Sequence, residues 1–368
     1  MQEDHSGFSR IVITGGPCAG KTSVLAYLQQ ELPEHQVRVV TVPESARPLI
    51  AAGLGPSVIG ALEFQKRIIA VQMAQEELHS SIVQKCFDPA QKAVLLCDRG
   101  TMDSRAYIDE DSFNLVLEEG GWNIPTLRDA RYEAVVHLVT AAIGAEAFYV
   151  TDTERKETFE EARALDERTQ YAWVGHPHVS VIGNETDFDG KKRKTLGAIL
   201  HHLGMPVPLE IEKKFLIDLS SLSSLPTHAS RVLIEQIYLP AGEDGVEERI
   251  RRRSQGAHSV CYRTRKRVVQ AGVREEREWQ VPLHEYIHAF RTVKGGGFIR
   301  KHRWCFLYEG QYFEVDDFSA MRDDGLCIAE IELTDQESEV RMPSWMKVIK
   351  EVTDDPRYSN RALAHTFV

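Results

Sequence analysis

In the first half of the chain, short apolar runs alternate with longer stretches whose apolar residues recur every three or four positions. Ile11-Val12-Ile13, Val37–Val42, Ala93–Cys97, Val135–Val139 and Val179–Ile182 have the length and composition of buried strands. Amphipathic helices are predicted over 21–30 and 63–85. Strand and helix in alternation imply βαβ units, and so a parallel sheet with helices on both faces. Near Gly204-Met205-Pro206-Val207-Pro208 the rhythm changes to period two, the mark of antiparallel β structure. The expected division is an α/β nucleotide-binding domain over 1–205, an α+β domain built on an antiparallel β-barrel or tunnel over 206–345, and a helical tail over 346–368 packed on that tunnel.

Composition fits this picture. The chain has 368 residues, 42% hydrophobic and 27% charged, as expected of folded globular domains. Its net charge is −11, which speaks against a protein that coats nucleic acid. Residues 1–206 carry 20 basic and 29 acidic side chains, and the remainder 24 and 26. The second half is therefore dense in charge yet nearly balanced. Six cysteines with no CxxC pair read as reduced thiols. No uncharged apolar run is long enough to span a bilayer, and the acidic start Met1-Gln2-Glu3-Asp4-His5 is unlike a signal peptide. A cytoplasmic location is the expectation.

Gly15-Gly16-Pro17-Cys18-Ala19-Gly20-Lys21-Thr22 fits G-x-x-x-x-G-K-[ST] between a strand and a helix, with Ser23 next in line. In such a P-loop, backbone N–H groups and the helix N-terminus face phosphate oxygens. Lys21 reaches the β- and γ-phosphates of ATP or GTP, and the Thr22 hydroxyl ligates Mg²⁺. Asp98, at the end of the Ala93–Cys97 strand, is the matching carboxylate for the metal. Glu44, after the second strand, is a candidate general base or an ordinary acidic residue at a helix start. Asp103 is a candidate substrate or base residue, or a solvated loop carboxylate. Arg163 and Arg168, in a polar helix, either reach phosphates from a lid or make surface ion pairs. This half resembles P-loop nucleoside and nucleotide kinases. It lacks a convincing N-K-x-D motif, so base preference is not readable.

The second half shows charge at alternating positions. Glu210, Glu212 and Lys214 share one strand parity, as do Arg249, Arg251 and Arg253. The same holds for Thr264 with Lys266, for Arg274 with Glu276 and Glu278, and for Lys301 with Arg303. Glu314 with Asp316, and Glu330 with Glu332, complete the series. One such strand is as well explained by a solvated face. Many together suggest a curved or closed sheet with a charged interior and with Ile331 on an outer apolar layer. The carboxylates suit a hard divalent cation, and the cations a triphosphate or other polyphosphorylated group.

Glu210-x-Glu212-x-Lys214 resembles the E-x-E-x-K signature of the CYTH, or triphosphate tunnel metalloenzyme, superfamily, over roughly 207–340. That resemblance implies metal ligation by Glu210, Glu212, Glu330 and Glu332. It also implies phosphate contacts from Lys214, Arg249, Arg251, Lys266, Lys301 and Arg303. A P-loop domain ahead of such a tunnel, with the tail Thr353–Asn360, is similar to the TRPL translocation defect protein family. That likeness implies GTP and phosphoinositide binding; the membrane-protein trafficking attached to that family presumes a client and is not carried over. Two functions follow as expectations: a Mg²⁺-dependent phosphoryl-transfer or NTPase domain joined to a triphosphatase tunnel, or a non-catalytic GTP- and phosphoinositide-binding module.

Overall fold

A computed structural model describes residues 8–88, 90–149, 158–205, 211–240, 246–270, 273–293, 297–333 and 339–365. Glu210 lies outside the described residues, and the side chains of Arg274 and Glu276 are likewise not described. The chain forms two compact units, 1–203 and 204–368.

The first unit is a five-stranded parallel sheet in the order β2-β3-β1-β4-β5. Its strands are β1 (Phe8–Thr14), β2 (Arg38–Val42), β3 (Ala93–Asp98), β4 (Ala134–Leu138) and β5 (Val179–Ile182). Its helices are α1 (Lys21–Glu34), α2 (Ala46–Ala51), α3 (Pro56–Ile59), α4 (Ala61–Cys86), α5 (Glu110–Gly120), α6 (Phe159–Ala172) and α7 (Phe188–His202). Both strand parities are buried, as a doubly covered sheet requires. Val12, Leu95, Cys97 and Val135 cluster with Ile69 and Val83 of α4 and with Trp173. Ile11, Ile13, Val94 and Leu96, of opposite parity, are equally inaccessible. Strand order reverses beside β1, so the loop leaving its carboxyl end opens into the crevice where α/β sheets bind ligands.

The second unit is a nine-stranded antiparallel sheet in the order β10-β9-β8-β7-β11-β12-β13-β6-β14. The strands are β6 (Ile211–Ile217), β7 (Ser230–Tyr238), β8 (Glu247–Gln255), β9 (His258–Gln270), β10 (Val273–Val281), β11 (Phe298–Tyr308), β12 (Gln311–Asp317), β13 (Cys327–Leu333) and β14 (Val348–Glu351). One face is apolar: Phe306, Phe313, Val315, Ala329 and Ile331 pack with Trp345 and Met346. The helix α8 (Leu283–Thr292) covers the apolar face of β8 and β9 through Tyr286 and Ala289. The tail is not wholly helical. Val348–Glu351 pairs with the free edge of β6 as a strand, and only Asn360–His365 forms a helix, α9. Leu363 and Ala364 of α9 pack with Tyr238, Ile299, Phe318 and Ile328 on the opposite sheet face.

Candidate functional site

Three glycines fit the phosphate loop for three different reasons. Gly15 has φ +144, and a Cβ there would lie 2.1 Å from the Leu138 carbonyl oxygen. At Gly16 it would lie 2.7 Å from Asp166 Oδ1. Gly20 is left-handed (φ +85), and its Cβ would meet the Phe188 ring at 2.6 Å. Lys21 opens α1, and its Nζ donates to the carbonyls of Gly15 (2.8 Å) and Gly16 (3.0 Å). Burial and the Arg99 guanidinium bring its pKa down to about 8, against the pull of Asp98, Glu44 and Asp103. Pro17, Cys18, Ala19, Thr22 and Ser23 line the same cleft, of about 1230 Å³.

Asp98 ends β3 beside Ile13 of β1 and lines the cleft. Burial raises its pKa, and its Oδ1 is buried with no hydrogen-bond partner among the described residues. An orphaned carboxylate oxygen in the cleft that Thr22 also lines is a suitable donor set for a hard cation.

Glu44 accepts from Arg99 Nε at 3.1 Å and Arg47 Nε at 3.1 Å. Burial pushes its carboxyl up, but Arg99, Lys21 and Arg47 together hold it below the usual range. Asp103 is fully engaged. It accepts from Thr14 Oγ1 (2.8 Å), Trp173 Nε1 (2.7 Å) and the Gly100 N–H (3.2 Å). Arg163 and Arg168 are exposed and do not line the cleft. Their Nε atoms donate to the carbonyls of Ala142 (2.6 Å) and Ala106 (2.9 Å).

The helix carrying those arginines contributes a residue that sequence reasoning missed. Asp166, wholly buried, accepts from the Gly16 N–H (2.8 Å), the Thr140 N–H (3.1 Å) and Gln170 Nε2 (2.9 Å), and its Oδ1 lies 3.1 Å from His137 Nε2. It thus grips the phosphate loop from behind. Two signals were present: a histidine inside the apolar β4, and an aspartate on the helix stripe formed by Ala162, Leu165, Thr169 and Ala172.

In the second unit, strand register collects the alternating charges on one face. Lys214 lies opposite Glu330, which lies opposite Glu314, and Glu212 lies opposite Glu332. Arg303 faces Asp316. Across β8 to β10, Arg249 faces Thr264, which faces Glu278, and Lys266 faces Glu276. The side chains knit together. Arg303 binds Asp316 (2.7 and 2.6 Å), Glu330 (2.7 Å) and Glu314. Lys301 binds Asp316 and, at 2.7 Å, Asn360 of α9. Lys214 Nζ reaches Glu330 at 2.8 Å and Glu212 at 3.0 Å. Arg251 takes Glu278 in a two-oxygen contact at 2.8 Å, and Thr264 donates to the same carboxylate at 2.6 Å. Arg253 is 1% exposed.

Burial pushes Glu330 up, but Arg303, Lys301 and Lys214 outweigh it and hold the carboxyl far below its ordinary range. Glu212 moves the other way, raised by burial and by the Glu330 charge. Among the described residues no three His, Cys, Asp or Glu side chains gather as a metal site. Asp316, Glu314 and Glu330 are all paired with the Arg303 guanidinium. Glu314 Oε1 remains buried with no hydrogen-bond partner among the described residues.

Residues 10–191 match the family described as AAA domain. An inorganic triphosphatase of Acetivibrio thermocellus is 35% identical over 155 residues, which are 42% of this chain and 92% of that protein. An inorganic triphosphatase of Nitrosomonas europaea is 30% identical over 159 residues, 42% of this chain and 96% of that protein. A solved inorganic triphosphatase structure is 27% identical, covers 43% of this chain and 95% of its own, and has a TM-score of 0.32. Through these curated relatives, each matched over nearly its whole length, the chain belongs to the inorganic triphosphatase family.

Proposed function

We propose that the chain holds two phosphate-processing sites, one per unit. The triphosphatase likeness is assigned to 204–368, and the charged sheet face carries the reading. A triphosphate lying along it meets Arg249, Arg251, Arg253 and Lys266 on one side and Lys301, Arg303 and Lys214 on the other. Each phosphate oxygen taken up by these groups releases a carboxylate from its present cation. The freed Glu212, Glu314, Glu330 and Glu332 would hold Mg²⁺ or Mn²⁺, which supplies charge neutralisation and an activated water when bound. Hydrolysis then breaks one P–O–P bond: water oxygen bonds to the terminal phosphorus, and pyrophosphate leaves.

The first unit is read as a Mg²⁺–nucleoside triphosphate site, for ATP or GTP, that transfers the γ-phosphoryl group. Thr22 and Asp98 would hold the ion, which offsets phosphate charge when bound. Lys21 leaves the Gly15 and Gly16 carbonyls for the β- and γ-phosphates. Asp103 and Asp166 position the strand end and the loop.

The test is phosphate release from tripolyphosphate with Mg²⁺ or Mn²⁺. Metal-dependent turnover that is lost in Arg303→Ala supports the tunnel reading. No release from the wild type overturns it.

A further inference from the structure

The second unit holds a cavity of its own, of about 610 Å³. Neither Lys214, Arg303 nor Glu330 of the charged face lines it. It is walled by the end of β6, the loop between β12 and β13, Ile349 of β14, and Arg357, Tyr358 and Leu363 of the tail. Leu216, Ile217, Leu326 and Leu363 give it an apolar lining. Leu219 and Ile349 also line it, yet both are exposed, Ile349 by 61%. A concave apolar wall with a few charged groups is the usual make-up of a small-molecule site.

The charged groups that line it balance in sign: Arg322 and Arg357 against Asp218 and Asp324. Each arginine closes on a carboxylate two residues away. Arg322 Nε donates to both Asp324 oxygens at 2.9 Å, and Arg357 binds Asp355 through Nε (2.9 Å) and Nη2 (2.6 Å). The Arg357 side chain is 75% exposed. Exposed pairs of this kind contribute little, so a guanidinium exchanges one carboxylate for another at small cost. Asp218 Oδ1 accepts from the Ser220 N–H at 2.8 Å. A carboxylate has about four acceptor sites, so Asp218 and Asp324 can each take a further donor. A simple anion in this cavity meets two carboxylates, and a simple cation meets two guanidinium groups. A molecule that carries both charges finds a partner for each.

We propose that this cavity binds a small apolar zwitterion, a free amino acid or short peptide with a large apolar side chain. The ligand carboxylate takes Arg322 and Arg357, the ammonium takes Asp218 and Asp324, and the side chain lies against Leu216, Leu326 and Leu363. The cavity lies beside the segment that holds part of the charged face: Asn360, between Tyr358 and Leu363 in the chain, accepts from Lys301 Nζ at 2.7 Å. An occupant that packs on Tyr358 and Leu363 stabilises that segment by mass action.

The test is calorimetric titration of the full chain with leucine, phenylalanine and leucylleucine. The controls are glycine, which lacks the apolar body, N-acetylphenylalanine, which lacks the ammonium, and phenylalaninamide, which lacks the carboxylate. At least one of the three probes should bind saturably, with each control weaker by about tenfold or more. The bound probe should slow backbone hydrogen exchange across 356–363. Arg322→Ala combined with Arg357→Ala should weaken it by about tenfold or more, and so should Ile349→Glu, which sets a charge among the apolar lining residues from an exposed position. Thermal melting reports whether each variant is folded, and if the double variant is not, Ile349→Glu decides. The proposal is overturned if none of the probes binds, or if a control binds as tightly as they do. It is equally overturned if a folded variant binds as the wild type does, or if binding leaves exchange across 356–363 unchanged.

Discussion

Lys21 is held by two loop carbonyls and brought down to about 8 by burial and Arg99, so it is still mostly an ammonium at neutral pH. Its replacement by alanine should weaken triphosphate binding roughly a hundredfold, about 2.7 kcal/mol, in a fluorescent-nucleotide titration. His176 shows what burial does without a charged ligand in view. It is fully buried, and its pKa falls to about 3 chiefly through desolvation. One ring nitrogen lies 3.0 Å from the Tyr132 carbonyl, and the other accepts from the His178 N–H at 3.0 Å. Because the folded pKa lies below the unfolded value of about 6.5, the fold favours the neutral ring. Its contribution is complete above pH 6.5 and is lost as pH falls toward 3. Denaturant titrations at pH 7 and pH 5 should differ by about 2 kcal/mol from this residue, and His176→Gln should flatten the difference. None of this was legible in the chain, since a histidine in a loop gives no sign of which carbonyl it will meet.

At the scale of elements, what the sequence makes plain is periodicity. Alternating charge placed Lys214, Arg251, Arg303, Asp316 and Glu330 on one strand parity, and the register confirms the shared face because strand side chains alternate strictly. Helix faces are harder to read when both sides carry polar groups. In α6 two exposed arginines flank Asp166, and it is Asp166 that accepts from the phosphate loop. Asp166→Ala should lower triphosphate affinity about tenfold or more, because the Gly16 and Thr140 N–H groups lose their shared acceptor. Arg163→Ala and Arg168→Ala should leave it within about twofold, as exposed side chains that do not line the cleft contribute little. The same nucleotide titration checks all three. Val348–Glu351, expected within a helical tail, is exposed at all four residues and shows no two-fold burial pattern. Only the free edge of β6 makes it a strand.

For the whole molecule, a net charge of −11 conceals two opposite designs. The acidic first unit lines its cleft with a few cations, Lys21, Arg47, Arg99 and Lys191. The nearly neutral second unit sets cations and carboxylates against each other on one sheet face, as in the Arg303 pairs with Asp316 and Glu330. If each site does its own chemistry, removing one should spare the other. The most direct measurement is therefore phosphate release from tripolyphosphate, with Mg²⁺ or Mn²⁺, by the wild type, Lys214→Ala and Lys21→Ala. Metal-dependent release by the wild type, a loss of about a hundredfold or more in Lys214→Ala, and near-wild-type release in Lys21→Ala are the predicted results. No release from the wild type, or release that depends on Lys21 and ignores Lys214, would contradict a triphosphatase site on the charged face of the antiparallel sheet.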